Sequence, residues 1–182
     1  MGLRALQKLW PLGLMVVLAG CEAAANETLT LPPVEVTFRF EVNGNVLQDG
    51  QAYTATSMNT IDLTQALAER GGYRKNEVTR ALVTGATLIR IQPVLTDLAD
   101  LLTETRLMLS ASGLNDTEVA ARTGFPDESE AALAPRSGID VTAFVQQPFF
   151  RAKLRLVPRN PNPQEQYVYE VRLTLQIQVE GV

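Results

Sequence analysis

The sequence predicts a mainly β fold: an antiparallel β-sandwich, immunoglobulin-like or related, with short connecting helices. Three observations predict it. Segment 34–42 alternates apolar and polar residues without a break, and segment 167–179 carries an apolar residue at every second position, as half-buried strands do. Aspartates, glycines and prolines cut the rest of the chain into short pieces that suit turns and capped single helices. No regular succession of strand and long helix is present, which argues against a doubly wound sheet.

Taken in order, residues 34–42 read VEVTFRFEV, with Val34, Val36, Phe38, Phe40 and Val42 on one face and Glu35, Thr37, Arg39 and Glu41 on the other. Asn43-Gly44-Asn45 and Asp49-Gly50 then form a turn-rich excursion. Asn43, Asn45 and Asp49 also admit a calcium reading, but too few carboxylates converge for a strong site. Asp62 is placed to cap a short helix over 63–70, with Gln65 as the partner of a capping box and Gly71-Gly72 as its end. Segment 77–91 is rich in β-branched residues and predicts a strand bent or bulged near Gly85; helical spacing of Val78, Ala81 and Leu82 is the competing reading.

Thr96 or Asp97 starts a second short helix through Leu102, followed by a strand over 104–112 with Thr105, Leu107, Leu109 and Ala111 inward. The polar stretch 115–137 reads as loop, with a one- or two-turn helix capped by Asp127 and Glu130 and stopped by Pro135. Residues 149–157 form another strand, and Pro158 to Pro163 a stiff turn. The last strand, 167–179, puts Tyr167, Tyr169, Val171, Leu173, Leu175, Ile177 and Val179 on one side. At about 3.3 Å per residue it reaches about 40 Å, so it is expected to bend, cross between sheets or project.

A short pattern recurs in Ile61-Asp62-Leu63-Thr64, Thr96-Asp97-Leu98-Ala99 and Ile139-Asp140-Val141-Thr142. It reads either as three equivalent acidic ligands or as three helix caps. The unequal spacing favours caps.

The inventory of reactive side chains narrows the function. Of 182 residues, 46% are hydrophobic and 20% charged, with one cysteine, no histidine and a net charge of −4. Without histidine there is no Ser-His-Asp or Cys-His catalysis and no histidine metal site, and one cysteine forms no intrachain disulfide. No Gly-rich phosphate loop follows a strand. A non-enzymatic protein without a cofactor is expected. The sole tryptophan, Trp10, lies in the leader, and most other aromatics occupy inward strand positions, so core packing explains them better than sugar stacking.

The first segment, MGLRALQKLWPLGLMVVLAGC, sets Arg4 and Lys8 before an apolar run from Leu9 to Ala19. That is the layout of a secretory signal, too short and too interrupted by Pro11 and Gly13 for a spanning helix of about 20 residues. Its end, Leu18-Ala19-Gly20-Cys21, resembles the lipobox of bacterial lipoproteins. The resemblance implies cleavage before Cys21, a diacylglyceryl group on its sulfur and usually a further acyl chain such as palmitate on the new amino terminus, with small Ala19 and Gly20 fitting a narrow peptidase site. Two or three acyl chains anchor a protein durably where one does not.

The implied organisation is a signal peptide over 1–20, a lipidated flexible tether over 21–33 (EAAANETLTLPP after the cysteine) and a single sandwich over 34–182. An added edge strand near Leu29 to Leu31 is the alternative for the end of the tether. Loss of Arg4 and Lys8 takes the 16 basic residues to 14 against 20 acidic, a side-chain charge of −6, which disfavours nucleic acid and charge-driven adhesion to anionic lipid. In the enteric members of the family an aspartate after the cysteine favours inner-membrane retention. Glu22 in that place points to the outer membrane.

The sandwich itself is similar in pattern to bacterial envelope lipoproteins of sandwich type, a resemblance that carries no functional residues. The expected function is that of a lipid-anchored envelope protein with an interaction domain, its partners being membrane lipid through Cys21 and another envelope or surface protein. A subunit or anchor of a surface filament, and a glycan-binding or calcium-dependent adhesion module, are the alternatives.

Overall fold

The computed structural model describes residues 27–181. Nine antiparallel strands form β1 (Thr28–Thr30), β2 (Val34–Asn43), β3 (Tyr53–Thr56), β4 (Val78–Gln92), β5 (Leu102–Ser110), β6 (Thr117–Thr123), β7 (Glu130–Pro135), β8 (Arg151–Pro158) and β9 (Gln166–Glu180). Three short helices, α1 (Thr64–Glu69), α2 (Leu98–Leu101) and α3 (Thr142–Val145), lie in the connections. The strand order is β1-β9-β4-β7-β6-β5-β8-β3, with β2 also on β9. Strands β2, β9, β4 and β7 therefore make one layer and β3, β8, β5 and β6 the other, and the chain passes back and forth between them. This is the wiring of an eight-stranded jelly roll, with β1 added. The expected sandwich is present, in a related topology rather than the immunoglobulin one.

The two layers share one core. Phe38 of β2 meets Phe150, the residue just before β8, edge to face with ring centroids 6.0 Å apart, and both rings are buried. All seven residues assigned to the inner side of β9 are buried. β9 neither crosses between layers nor projects. Its length is explained by its partners: β4 pairs along one side, while on the other β2 pairs with Gln166 to Leu175 and β1 with Gln178 to Glu180. A bond from Leu31 N to Ile177 O, 2.9 Å, links the two partners.

β4 is the expected strand, with a register shift between Val83 and Gly85. A Cβ on Gly85 would stand 3.2 Å from Thr174 Oγ1, so the glycine lets the bulged strand pass its neighbour. Gly44 is required by close approach as well: a Cβ there would lie 2.0 Å from Asn162 O, where the β2–β3 and β8–β9 turns meet.

Three expectations need correction. Residues 115–137 are not a loop with a capped helix but β6 and β7, and Glu130 pairs with Ile89 at the start of a strand. In β6 a register shift opposite Leu107 and Met108 buries the adjacent Val119 and Ala120 together, which erases the alternation that marks a strand. The end of the tether, from Thr28 to Thr30, is the alternative edge strand. The Asp62–Gln65 capping box does not form, because Gln65 Nε2 donates instead to Glu69 Oε1 at 2.7 Å.

Strand directions sort the connections between two ends. The β2–β3, β4–β5, β6–β7 and β8–β9 connections gather at one end. The β3–β4, β5–β6 and β7–β8 connections, with α1 and α3, gather at the other, where Glu27 O also accepts from Gly181 N at 2.6 Å.

Candidate functional site

Leu18, Ala19, Gly20 and Cys21 lie outside the described residues. The carboxylates singled out in the sequence lie within them, and they do not converge. Asp62 Oδ1 accepts from Thr64 N at 2.9 Å and Thr64 Oγ1 at 2.7 Å, and pairs with Lys75 Nζ at 2.5 Å. The bonds from Lys75 and then Thr64 hold its carboxyl down to about 2. Asp140 is its structural twin, accepting from Thr142 N at 2.8 Å and from the Thr142 hydroxyl. Thr142 Oγ1 in turn accepts from Ala81 N at 2.8 Å, which ties α3 to β4. Desolvation alone would raise the Asp140 carboxyl, but the Thr142 bonds outweigh it and the net direction is down.

Asp97 stands before α2 but its side chain accepts no cap bond. None of the three repeats is a helix cap: the N-cap positions of α1 and α3 are Leu63 and Val141 and make no side-chain bond, and Asp62 and Asp140 instead close local turns just before those helices. Among the described residues no group of three cysteines, aspartates or glutamates is placed to hold a metal ion. Of the residues in the calcium reading, Asp49 Oδ1 accepts from Asn160 N at 2.8 Å, steadying the one non-glycine residue with positive φ among the described residues. Asn43 ends β2 opposite Gln166.

The outer face of β5, β6 and β8 carries an ionic network that the sequence reading missed. Glu104 Oε1 takes Arg106 Nε at 2.6 Å and Arg155 Nη1 at 2.9 Å. Arg106 Nη1 reaches Glu118 Oε2 at 3.4 Å, and Glu118 also receives Arg136 Nε at 2.8 Å. The hydrogen bond from Arg106 is the main cause of a lowered Glu104 carboxyl. Alternation of Glu104 with Arg106, and of Lys153 with Arg155, was the available signal. These charges satisfy one another across strands.

A different surface is left unsatisfied. The layers join on one side through β6 and β7, but on the other side β2 and β3 stand apart as the outer strands of their layers. The segment after β3 partly sutures this seam. Met58 N donates to Arg39 O at 2.7 Å, Asn59 Nδ2 donates to Thr37 O at 2.8 Å, and Asn59 Oδ1 accepts from Arg39 N at 3.0 Å. One side-chain amide takes the place of a neighbouring strand.

Between Thr37 and Pro33, whose carbonyl accepts from Arg70 Nη2 at 3.4 Å, the seam opens into a groove of about 400 Å³, walled by Val34 to Thr37 on one side and by Thr60 to Leu63, Gln65, Ala66 and Glu69 on the other. Backbone groups of alternate residues share one edge of a strand. Since Thr37 O and both groups of Arg39 bond toward the seam, the N–H and C=O of Glu35 and the N–H of Thr37 face it too. None of these three takes a partner among the described residues. Among the described residues, exposed large apolar side chains elsewhere are scattered over Leu29, Val46, Met58, Val94, Leu95 and Phe149, a single aromatic among them.

Fold and site together define a jelly-roll sandwich with one joined side and one open, groove-bearing seam. No family model matches the chain, and no curated protein matches it. Among solved structures it is similar to the decameric BFDV capsid protein, with 16% identity over 85% of this chain and 100% of that one at a TM-score of 0.44. The 60-mer BFDV capsid protein gives 15% identity over 86% of this chain and 95% of that one, with a TM-score of 0.39. A structure of infectious bursal disease virus, Gt strain, gives 15% identity over 86% of this chain and a TM-score of 0.36, and the chain spans 34% of that protein's length.

Proposed function

We propose that this chain is a non-enzymatic, lipid-anchored protein of the bacterial envelope whose sandwich is an interaction domain. The observation that carries the reading is the charged and apolar leader ending in Leu18-Ala19-Gly20-Cys21. The acylated Cys21 attaches the protein to membrane lipid, at the outer membrane, and the sandwich contacts another envelope or surface protein. Covalent geometry supports a defined mounting: seven residue steps from Cys21 to Thr28, at roughly 3.6 Å each, reach about 25 Å at most. The fifteen residues of β9 extend about 50 Å at about 3.3 Å each. The end bearing α1, α3 and Gly181 is therefore the one held near the lipid, and the β2–β3 and β4–β5 connections point away.

The filament alternative calls for a terminal segment free to complete a neighbour's sheet. Thr28 to Thr30 pair instead with the chain's own β9, which favours the interaction domain. Replacing the anchor, Cys21→Ser, is expected to abolish incorporation of a radiolabelled fatty acid and lipoprotein-type processing. Undiminished labelling would overturn the reading. Crosslinking in intact envelopes followed by affinity isolation identifies the partner.

A further inference from the structure

We infer that the groove between β2 and α1 is a β-augmentation site for an extended polypeptide segment carrying basic residues. It deepens the interaction half of the reading above and is independent of the lipid half. Three features of the groove lead there. The backbone groups of Glu35 and the N–H of Thr37 present the donor, acceptor, donor sequence that an incoming antiparallel or parallel strand satisfies. The seam beside them is already bridged strand-fashion by Asn59 and Met58, so an added strand continues a pairing line that the fold begins and leaves incomplete. Finally, the charged side chains along the groove walls are acidic, Glu35, Asp62 and Glu69, with Arg70 held at its end on Pro33 O.

The chemistry of the partner follows from the pleat. Val34 and Val36 point into the core and are buried, while Glu35 points outward and is exposed. A residue placed beside Glu35 on a new strand shares that outer face, and a lysine or arginine there meets an opposite charge at cross-strand distance. Glu35 has no ion-pair partner among the described residues, whereas Asp62 is already neutralised by Lys75 and Glu69 receives only the neutral Gln65 amide. The alternate residues of the new strand turn toward Leu63 and Ala66 on the opposite wall, where small or branched apolar side chains fit. The occupant is thus an extended segment that alternates basic and apolar residues. The volume suits one strand of a few residues, not a folded domain.

The test uses the full chain, purified in detergent, and a fluorescein-labelled hexapeptide alternating valine and lysine, read by fluorescence anisotropy. Three companion probes are used: the same peptide with glutamate for lysine, and two in which alternate backbone nitrogens, in one register or the other, are methylated. The valine–lysine peptide is expected to bind, the glutamate peptide at least about tenfold more weakly because of like-charge juxtaposition, and one methylated register not at all. Glu35→Lys should exchange the preference for lysine over glutamate. Thr37→Pro, which removes one groove-facing N–H from an edge position that tolerates proline, should weaken binding of the valine–lysine peptide.

Equal binding of the charged probes, binding insensitive to methylation in both registers, or no binding overturns the inference. So does sedimentation showing a dimer that Thr37→Pro dissociates, since the occupant is then a second copy. The methylated probes act on the unaltered protein, so the result stands even if a variant misfolds. Fatty-acid labelling of Cys21 is unaffected by any of these outcomes, and its loss leaves the groove reading in place.

Discussion

Strand β9 and the β6–β7 joint hold the same sandwich together by different means. β9 runs for fifteen residues with a neighbour on each side, and its inward side chains are large: two tyrosines, leucines, isoleucine and valines, all buried. β6 and β7 meet at only two residue pairs, Ala120 with Pro135 and Ala121 with Ala134. Val119 and Leu133 of these strands are buried in the core, but the residues paired at the joint itself are three alanines and a proline. A strand in the middle of a layer needs bulk to fill the space between layers. A corner where one layer turns into the other needs backbones close together, and small side chains permit that. Bulk therefore marks the span and its absence marks the corner.

The largest expected effect tests the span. Leu173→Ala should destabilise the fold by about 2–5 kcal/mol, the range for truncating a buried leucine, whereas Thr174→Ala on the outer face should cost roughly 0.5 kcal/mol or less. Urea titration of both variants measures the difference. Equal small effects would show that the inner face of β9 is not the core that its alternation implies.

The corner should answer to the opposite substitution. Ala120 is fully buried, and Ala120→Leu is expected to cost about 1–3 kcal/mol by overpacking. A neutral result by the same titration would mean that the layers have room to part there, and the comparison with β9 would fail.

The smallest effect concerns a turn rather than a layer. Asp62 titrates near 2 in the folded chain against 3.8 for the free group. A carboxyl lowered on folding contributes stability that is fully present above its unfolded value and is lost as pH falls through the folded one. The Asp62 side chain is 59% exposed, so solvent screening keeps that contribution to about 1 kcal/mol or less. Asp62→Asn should flatten part of the fall in stability between about pH 4 and pH 2, as followed by denaturant midpoints across that range. An unchanged acid limb would assign no stabilising role to the Lys75 and Thr64 bonds.

How far the sequence reached follows from what each feature depends on. Alternation in β2 and β9 is a property of consecutive residues, and it placed both strands and their buried faces. The β-branched run broken by Gly85 placed β4 and its bulge. The three aspartates read alike as helix caps; a threonine two residues on separates Asp62 and Asp140, which close local turns, from Asp97, which is followed there by alanine and accepts no cap bond. β6 was hidden because a bulge against β5 buries two successive residues, and β7 because its alanines and glutamate read as helix when its partner in β4 is unknown.

The sequence by itself thus determined the β class, most of the strands, the exclusion of histidine and disulfide chemistry, and the leader that resembles a lipobox. Tertiary structure alone decided the jelly-roll order, the Ala-lined corner, the Asn59 suture and the unpaired edge at Glu35. The reason is physical: which way a side chain points is set by a period of two along the chain. Which strand lies beside it is set by hydrogen bonds between backbone groups that are chemically alike at every residue. Their choice among partners depends on how the whole core packs.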